Sequence, residues 1–211
     1  MNAIAPFHGV TIATAGRPDI RAMFRHYLAP YSAAEPFEDL IETVRKNSTP
    51  EIRRCRNRRP GAAIAIHRAV AGHIDAVSKA RDALGIAMLA PDEADVRQIL
   101  GAMMLAFHAP PTQTAGYFID TLVLELREPD DVGYPFCLPA IAAAAREMWR
   151  TLPSPPAIAD FLPCVKKHQK RIEAVFKQLG DILEAADWAE DTIKPMKPPV
   201  RYEDDPDHIP F

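Results

Sequence analysis

The segment from Ile158 to Ala186 constrains this chain more than any other. Ile158, Phe161, Val165, His168, Ile172, Val175, Leu179, Ile182 and Ala186 recur at alternating spacings of three and four. That is the a/d seam of a long helix, and such a seam is stable only against another helical surface. Lys166, Lys167, Lys170, Arg171, Glu173 and Lys177 fall off the seam and stay in water. The surface that covers it is either another helix of the same chain or a second subunit, which leaves a homodimer open. Pro163, near the start, predicts a kink there or a short piece split from the long helix.

Helical periods run through most of what precedes. The spacing predicts helices over 18–29, 36–46, 62–85, 92–108, 113–128, 139–152 and 156–190, several opened by a proline at a first-turn position: Pro18, Pro36, Pro91, Pro139, Pro155 and Pro156. Val96, Ile99, Leu100, Met103 and Phe107 form one stripe. Phe118, Leu122 and Leu126 form another, widened by Ile119 and Val123, and Ile141, Ala145, Met148, Trp149 and Leu152 form a third. These faces are the expected cover of the long seam. Only Val10 to Thr14 reads as a short β-like run. The fold class that follows is all-α, an antiparallel helical bundle with a long C-terminal heptad helix and an extended, acidic, Pro-rich tail. The expected organisation is an N-terminal arm with a basic segment over 1–60, the bundle over 61–192 and a flexible tail over 193–211. Whether 62–85, with Ile64, Ile66, Val70, Ile74 and Val77, packs on the bundle or projects from it stays open.

Composition removes several function classes. With 25 basic and 28 acidic residues in 211, the formal charge is −3, so contact with nucleic acid must come from a local patch. The chain has only 3 cysteines, Cys55, Cys137 and Cys164, and no apolar run of bilayer length. Met1 to Gly16 lacks the basic start and continuous apolar core of an export signal. The cysteines are therefore expected to be reduced, and the protein cytoplasmic.

No sequence pattern for catalysis or metal binding is complete. Cys164 and His168 stand one helical turn apart, but two ligands do not close a metal site. His67 and His73 lie on different faces of a helix. Asp92, Glu93 and Asp95 suit the first turn of a helix, and Asp130 and Asp131 belong to a loop. Trp149 and Trp188 are expected in helix packing. No phosphate-binding glycine loop, Gly-x-Ser-x-Gly or His-Glu-x-x-His occurs. The expectation is no enzyme, no catalytic residue, no metal and no cofactor.

Two local signals point to binding. Arg53, Arg54, Arg56, Arg58 and Arg59 fall within seven residues, with Lys46 upstream, and such guanidiniums bridge phosphates. No aromatic residue interleaves them, so the pattern supports backbone contact rather than base stacking. The alternatives are a solvated loop and a segment that holds the chain's own acidic tail. That tail reads Glu203-Asp204-Asp205-Pro206-Asp207-His208-Ile209-Pro210-Phe211. Asp204, Asp205 and Asp207 steer it toward basic surfaces, Ile209 and Phe211 offer apolar anchors, and Pro210 restricts the chain before it docks.

This ending resembles the acidic C-terminal tip of bacterial single-stranded-DNA-binding proteins, an acidic run followed by Ile-Pro-Phe, although Pro206 and His208 interrupt the run here. The resemblance implies partners that read that tip: a helicase, an exonuclease, a primase or a polymerase accessory subunit. It does not extend to the body, which lacks the strands of an OB-fold. Residues 92–170 instead resemble phage-type replication accessory proteins of the helicase-loader class. The resemblance is carried by Phe107-His108-Ala109-Pro110, Tyr117 to Leu126, Pro139 to Trp149, and Ser154-Pro155-Pro156-Ala157-Ile158 to Phe161. It implies a non-enzymatic DNA replication or recombination accessory protein. Two other functions remain: an inhibitor that mimics the tip to block a host nuclease or helicase, and an unrelated helical interaction module.

Overall fold

A computed structural model of the chain describes residues 19–107, 115–129 and 135–194. Among them the backbone forms nine α-helices and one 3-10 turn, with no strand. The all-α reading holds.

α1 (Ile20–Ser32) opens on Asp19, whose carboxylate accepts the Ala22 N–H at 3.0 Å. A 3-10 turn over Glu35–Phe37 leads into α2 (Glu38–Asn47). α3 (Pro50–Arg54) is a single short turn that begins with Pro50 and is capped by the Thr49 hydroxyl. α4 (Arg59–Val70) and α5 (Ile74–Ala87) follow. Then come α6 (Glu93–Ala106), capped by Asp92, and α7 (Ala115–Arg127). α8 (Leu138–Thr151) takes Pro139 in its first turn, and α9 (Ile158–Ile193) completes the order. Pro155 and Pro156 stand just ahead of α9 rather than inside it.

The long helix is the spine. α9 has 36 residues, about 54 Å at 1.5 Å per residue. It is unbroken at Pro163. The only carbonyl this proline deprives of an intrahelical partner is that of Ala159, which lies in the exposed first turn. Phe161, Val165, Ile172, Leu179, Ile182 and Ala186 of the seam are all buried. Cys164, Gln169, Ala185 and Ala189 widen the buried face beyond a two-position seam. The cover comes from the same chain, chiefly from α4, α8 and α5, with α2 beside them. α6 packs on α8 and α7, so the stripes at 96–107 and 118–126 support the seam's neighbours more than the seam itself. At the α5 crossing, the helices come so close that a Cβ at Gly85 would meet the Phe176 ring at 3.2 Å.

Two expectations change. The span 62–85 is two helices, not one: Gly72 has φ +80, a backbone that glycine adopts readily, and it ends α4 just past Ala71. Both pieces pack on α9, burying Ile66, Val70, Val77 and Leu84, while Ile64 and Ile74 face out. Second, residues 20–54 do not hang off the bundle as an arm. Met23, Phe24, Tyr27 and Leu28 of α1 belong to the same core as α6, α8 and α9. Phe24 stacks on Trp149 at 6.0 Å between ring centroids. Tyr27 donates its proton to Asp95 at 2.6 Å, tying α1 to α6, and burial together with that carboxylate drives its pKa up.

Candidate functional site

The basic segment folds as a hinge between two helices rather than as a free strand. Cys55 closes α3, and its carbonyl accepts the N–H groups of Arg58 (3.1 Å) and Arg59 (2.9 Å), so the chain reverses within four residues before α4 starts. That reversal sorts the five arginines. Arg53 turns inward: it pairs with Glu184 of α9 at 3.0 Å, and its guanidinium lies 5.3 Å from the centroid of the Trp188 ring. Arg59, at the other end, places Nε and one terminal nitrogen 3.4 Å from the Thr192 hydroxyl. These two residues fix the turn to the last turns of α9. Between them Arg54, Arg56 and Arg58 are exposed and make no ion pair with any described residue. Lys46 is not part of the group, because it pairs with Glu42 at 3.2 Å.

Cys55 sits in the middle of this turn. The N–H groups of Arg58 and Asn57 hold its thiol below the ordinary range, and the Arg58 charge adds to the effect. It is half-exposed, whereas Cys137 and Cys164 are buried. Burial pushes the Cys137 thiol up to about 12.

A second cluster forms where α8 meets α9. Glu147 of α8 brings its carboxylate to Cys164 and His168 of α9, and one ligand atom from each of the three lies within 4.8 Å of the others. Lys167 also reaches Glu147, at 2.7 Å, and His168 Nε2 lies 2.9 Å from the other carboxylate oxygen. The Lys167 bond is the main reason the Glu147 carboxyl stays below its usual range. Burial lowers the His168 pKa more than Glu147 raises it, and burial, then Glu147, raises that of Cys164. The Glu147 carboxylate is thus met by the Lys167 amine and the His168 ring, with the Cys164 thiol beside them. A metal ion would have to displace the Lys167 ammonium from the carboxylate and a proton from a thiol that holds it tightly.

Beside this cluster opens a groove of about 450 Å³ between α1, α8 and α9. Arg146, Arg150 and Arg171 line it with Tyr31, Ser32 and Thr151. Nothing in the local sequence joins these residues. Arg146 and Arg150 lie one turn apart on α8, but Arg171 and the α1 hydroxyls reach them only through packing. Glu147 escaped notice in the same way, standing 17 residues before Cys164.

The tip residues Asp204, Asp205, Asp207, Ile209, Pro210 and Phe211 lie outside the described residues, as do His108 to Pro110 and Asp130 to Tyr134. Among the described residues no helix is long and apolar enough to cross a membrane. Compared with family models, with curated proteins and with solved structures, the chain has no match.

Proposed function

We propose that this chain is a non-enzymatic accessory protein of DNA replication or recombination, of the phage or mobile-element type. It touches the nucleic-acid backbone with one turn and recruits, or competes for, genome-maintenance proteins with its acidic Ile-Pro-Phe segment. The observation that carries the reading is the division of labour among the five arginines. Arg53 and Arg59 hold the turn on α9, and Arg54, Arg56 and Arg58 are left with no carboxylate among the described residues. Three guanidiniums without a described carboxylate on a braced turn suit phosphate contact, and the lack of aromatic residues within the segment suits a backbone rather than a base. The segment from Asp204 to Phe211 supports the second half through its likeness to the tip of single-stranded-DNA-binding proteins.

The test has two parts. Anisotropy of a labelled single-stranded oligonucleotide, titrated with the full chain at several salt concentrations, reads the turn. Replacing Arg54, Arg56 and Arg58 with serine should lower the slope of log K against log salt by about two, at roughly 0.7 per lost phosphate contact. An unchanged slope removes the turn from the reading. A lysate pull-down with and without Ile209, Pro210 and Phe211 reads the tip. Loss of helicases, nucleases or polymerase accessory subunits supports docking, and identical captures refute it. Tip-dependent inhibition of such an enzyme without any oligonucleotide affinity would mark the inhibitor instead.

A further inference from the structure

We infer that the groove between α1, α8 and α9 is a second anion site, built to take a phosphate group through Arg146, Arg150 and Arg171. These residues are distinct from the turn at 54–58, and the inference stands independently of it.

Three guanidiniums line one concavity of about 450 Å³, and none of them makes an ion pair with a described residue. The only carboxylate in the lining is Glu147, which already holds Lys167 at 2.7 Å and His168 at 2.9 Å. Counting Arg146, Arg150, Arg171, Lys167 and Glu147, the formal charge at this spot is +3, in a chain whose total is −3. Like charges gathered at a partly enclosed site repel one another more than they would in open water. Some arginines of the fold are matched with carboxylates, as Arg53 is with Glu184 and Arg97 with Glu93 and Asp120. No described carboxylate neutralises the three guanidiniums that share this groove, which leaves the concavity open to an anion.

The shape fits that ligand. Arg146 and Arg150 project from successive turns of α8, and Arg171 faces them from α9, which lets planar forks approach an anion from two sides. Tyr31 and Ser32 add hydroxyl donors from α1. Thr151 is directed elsewhere, since its hydroxyl donates to the Glu147 carbonyl at 2.9 Å. The chemistry recognised is a phosphate group, either on a strand of nucleic acid or on a small molecule.

Calorimetric titration of the full chain with inorganic pyrophosphate, and separately with a 5′-phosphorylated oligonucleotide, tests this. R150Q/R171Q is the main variant, because both side chains are exposed and their loss leaves the core intact. R54S/R56S/R58S is the control. The expected result is measurable pyrophosphate binding that weakens at least about tenfold in R150Q/R171Q and is unchanged in the control. If oligonucleotide binding weakens in parallel, the phosphate belongs to nucleic acid. If pyrophosphate binding alone weakens, the site serves a small phosphorylated molecule. Either result supports the site. No pyrophosphate binding by the parent protein at millimolar concentration, or equal binding by R150Q/R171Q, overturns it, whatever becomes of the turn.

Discussion

Two groups of arginines in this molecule are treated in opposite ways. At the α6–α7 junction Arg97 reaches Glu93 at 2.8 Å and Asp120 at 2.6 Å, and Arg127 joins Glu93 at 3.0 Å. Around Cys55, Arg54, Arg56 and Arg58 have no carboxylate partner among the described residues, although α9 places Glu184 close enough to serve Arg53. The residue type is the same, and Arg97 is exposed like the arginines of the turn. At the junction the guanidiniums link two helices of the fold. On the turn, two arginines do that work at the ends and three are left over. A basic run in a sequence is thus a mixture, and only the neighbouring helix tells the structural members from the spare ones.

The comparison can be broken in several ways, and the largest effect concerns thiol reactivity. Cys55 shares the turn with the spare arginines, and its thiol is held low, while Cys137 is fully buried and its thiol is pushed up to about 12. Iodoacetamide should label Cys55 faster than Cys137 by on the order of a thousandfold or more, because Cys137 reacts only through opening of the core. Peptide mass mapping over time reads the order, and equal rates would mean that the turn and core open together. Adding oligonucleotide should slow labelling of Cys55 alone. Next in size, neutralising Arg54, Arg56 and Arg58 should cut oligonucleotide affinity by about a hundredfold at low salt while leaving the melting midpoint in place. A matching fall in melting midpoint would show that those side chains hold the fold after all.

A substitution away from both arginine groups sets the scale for structural loss. Gln169 is buried, accepts the Cys137 N–H at 3.0 Å and donates to Glu173 at 2.9 Å. Gln169→Leu should strand the N–H at the start of α8 and cost about 1–3 kcal/mol in urea unfolding, with nucleic-acid affinity unchanged. Arg97→Ala should lower the melting midpoint only slightly, since its pairs are exposed and screened, and should leave affinity alone. A change in affinity there would erase the contrast between the two groups. The smallest effect is on pH. His168 and Glu147 both have folded pKa values below their unfolded ones, so the unfolded chain takes up protons first as pH falls. Their contribution should be complete above about pH 6.5, decline first as His168 protonates and decline again through the carboxylate range. His168→Gln should flatten the first step only.

Much of the fold was legible because its periods are long. Six of the nine seam positions of α9 are buried, with Ile158, His168 and Val175 partly so, and the stripe Val96, Ile99, Leu100, Met103 and Phe107 is buried as the spacing predicts. Failures came where a pattern passes through a break or where contact depends on packing. Ile66, Val70, Ile74 and Val77 keep helical spacing across Gly72, so periodicity alone carries the helix through a point where the backbone turns. α1 is foreseen as a helix over 18–29, but its pattern is short and followed by Pro30, which hides that it buries four side chains in the common core. The candidate sites divide along the same line. Five arginines in seven residues are visible at once, but the inward turn of Arg53 depends on Glu184 and Trp188, more than a hundred residues away. The groove unites α1, α8 and α9 and has no local signature at all.

The unbroken course of α9 has a metric consequence. Arg171 stands at the groove, and Glu184, which anchors the turn through Arg53, lies 13 residues further along the same helix. The rise between them is about 20 Å, close to six steps of a duplex at 3.4 Å each. A helix this well packed does not stretch, so it works as a ruler. An oligomer that bridges groove and turn must exceed that length, and affinity plotted against oligomer length should rise abruptly there instead of growing evenly with each added unit.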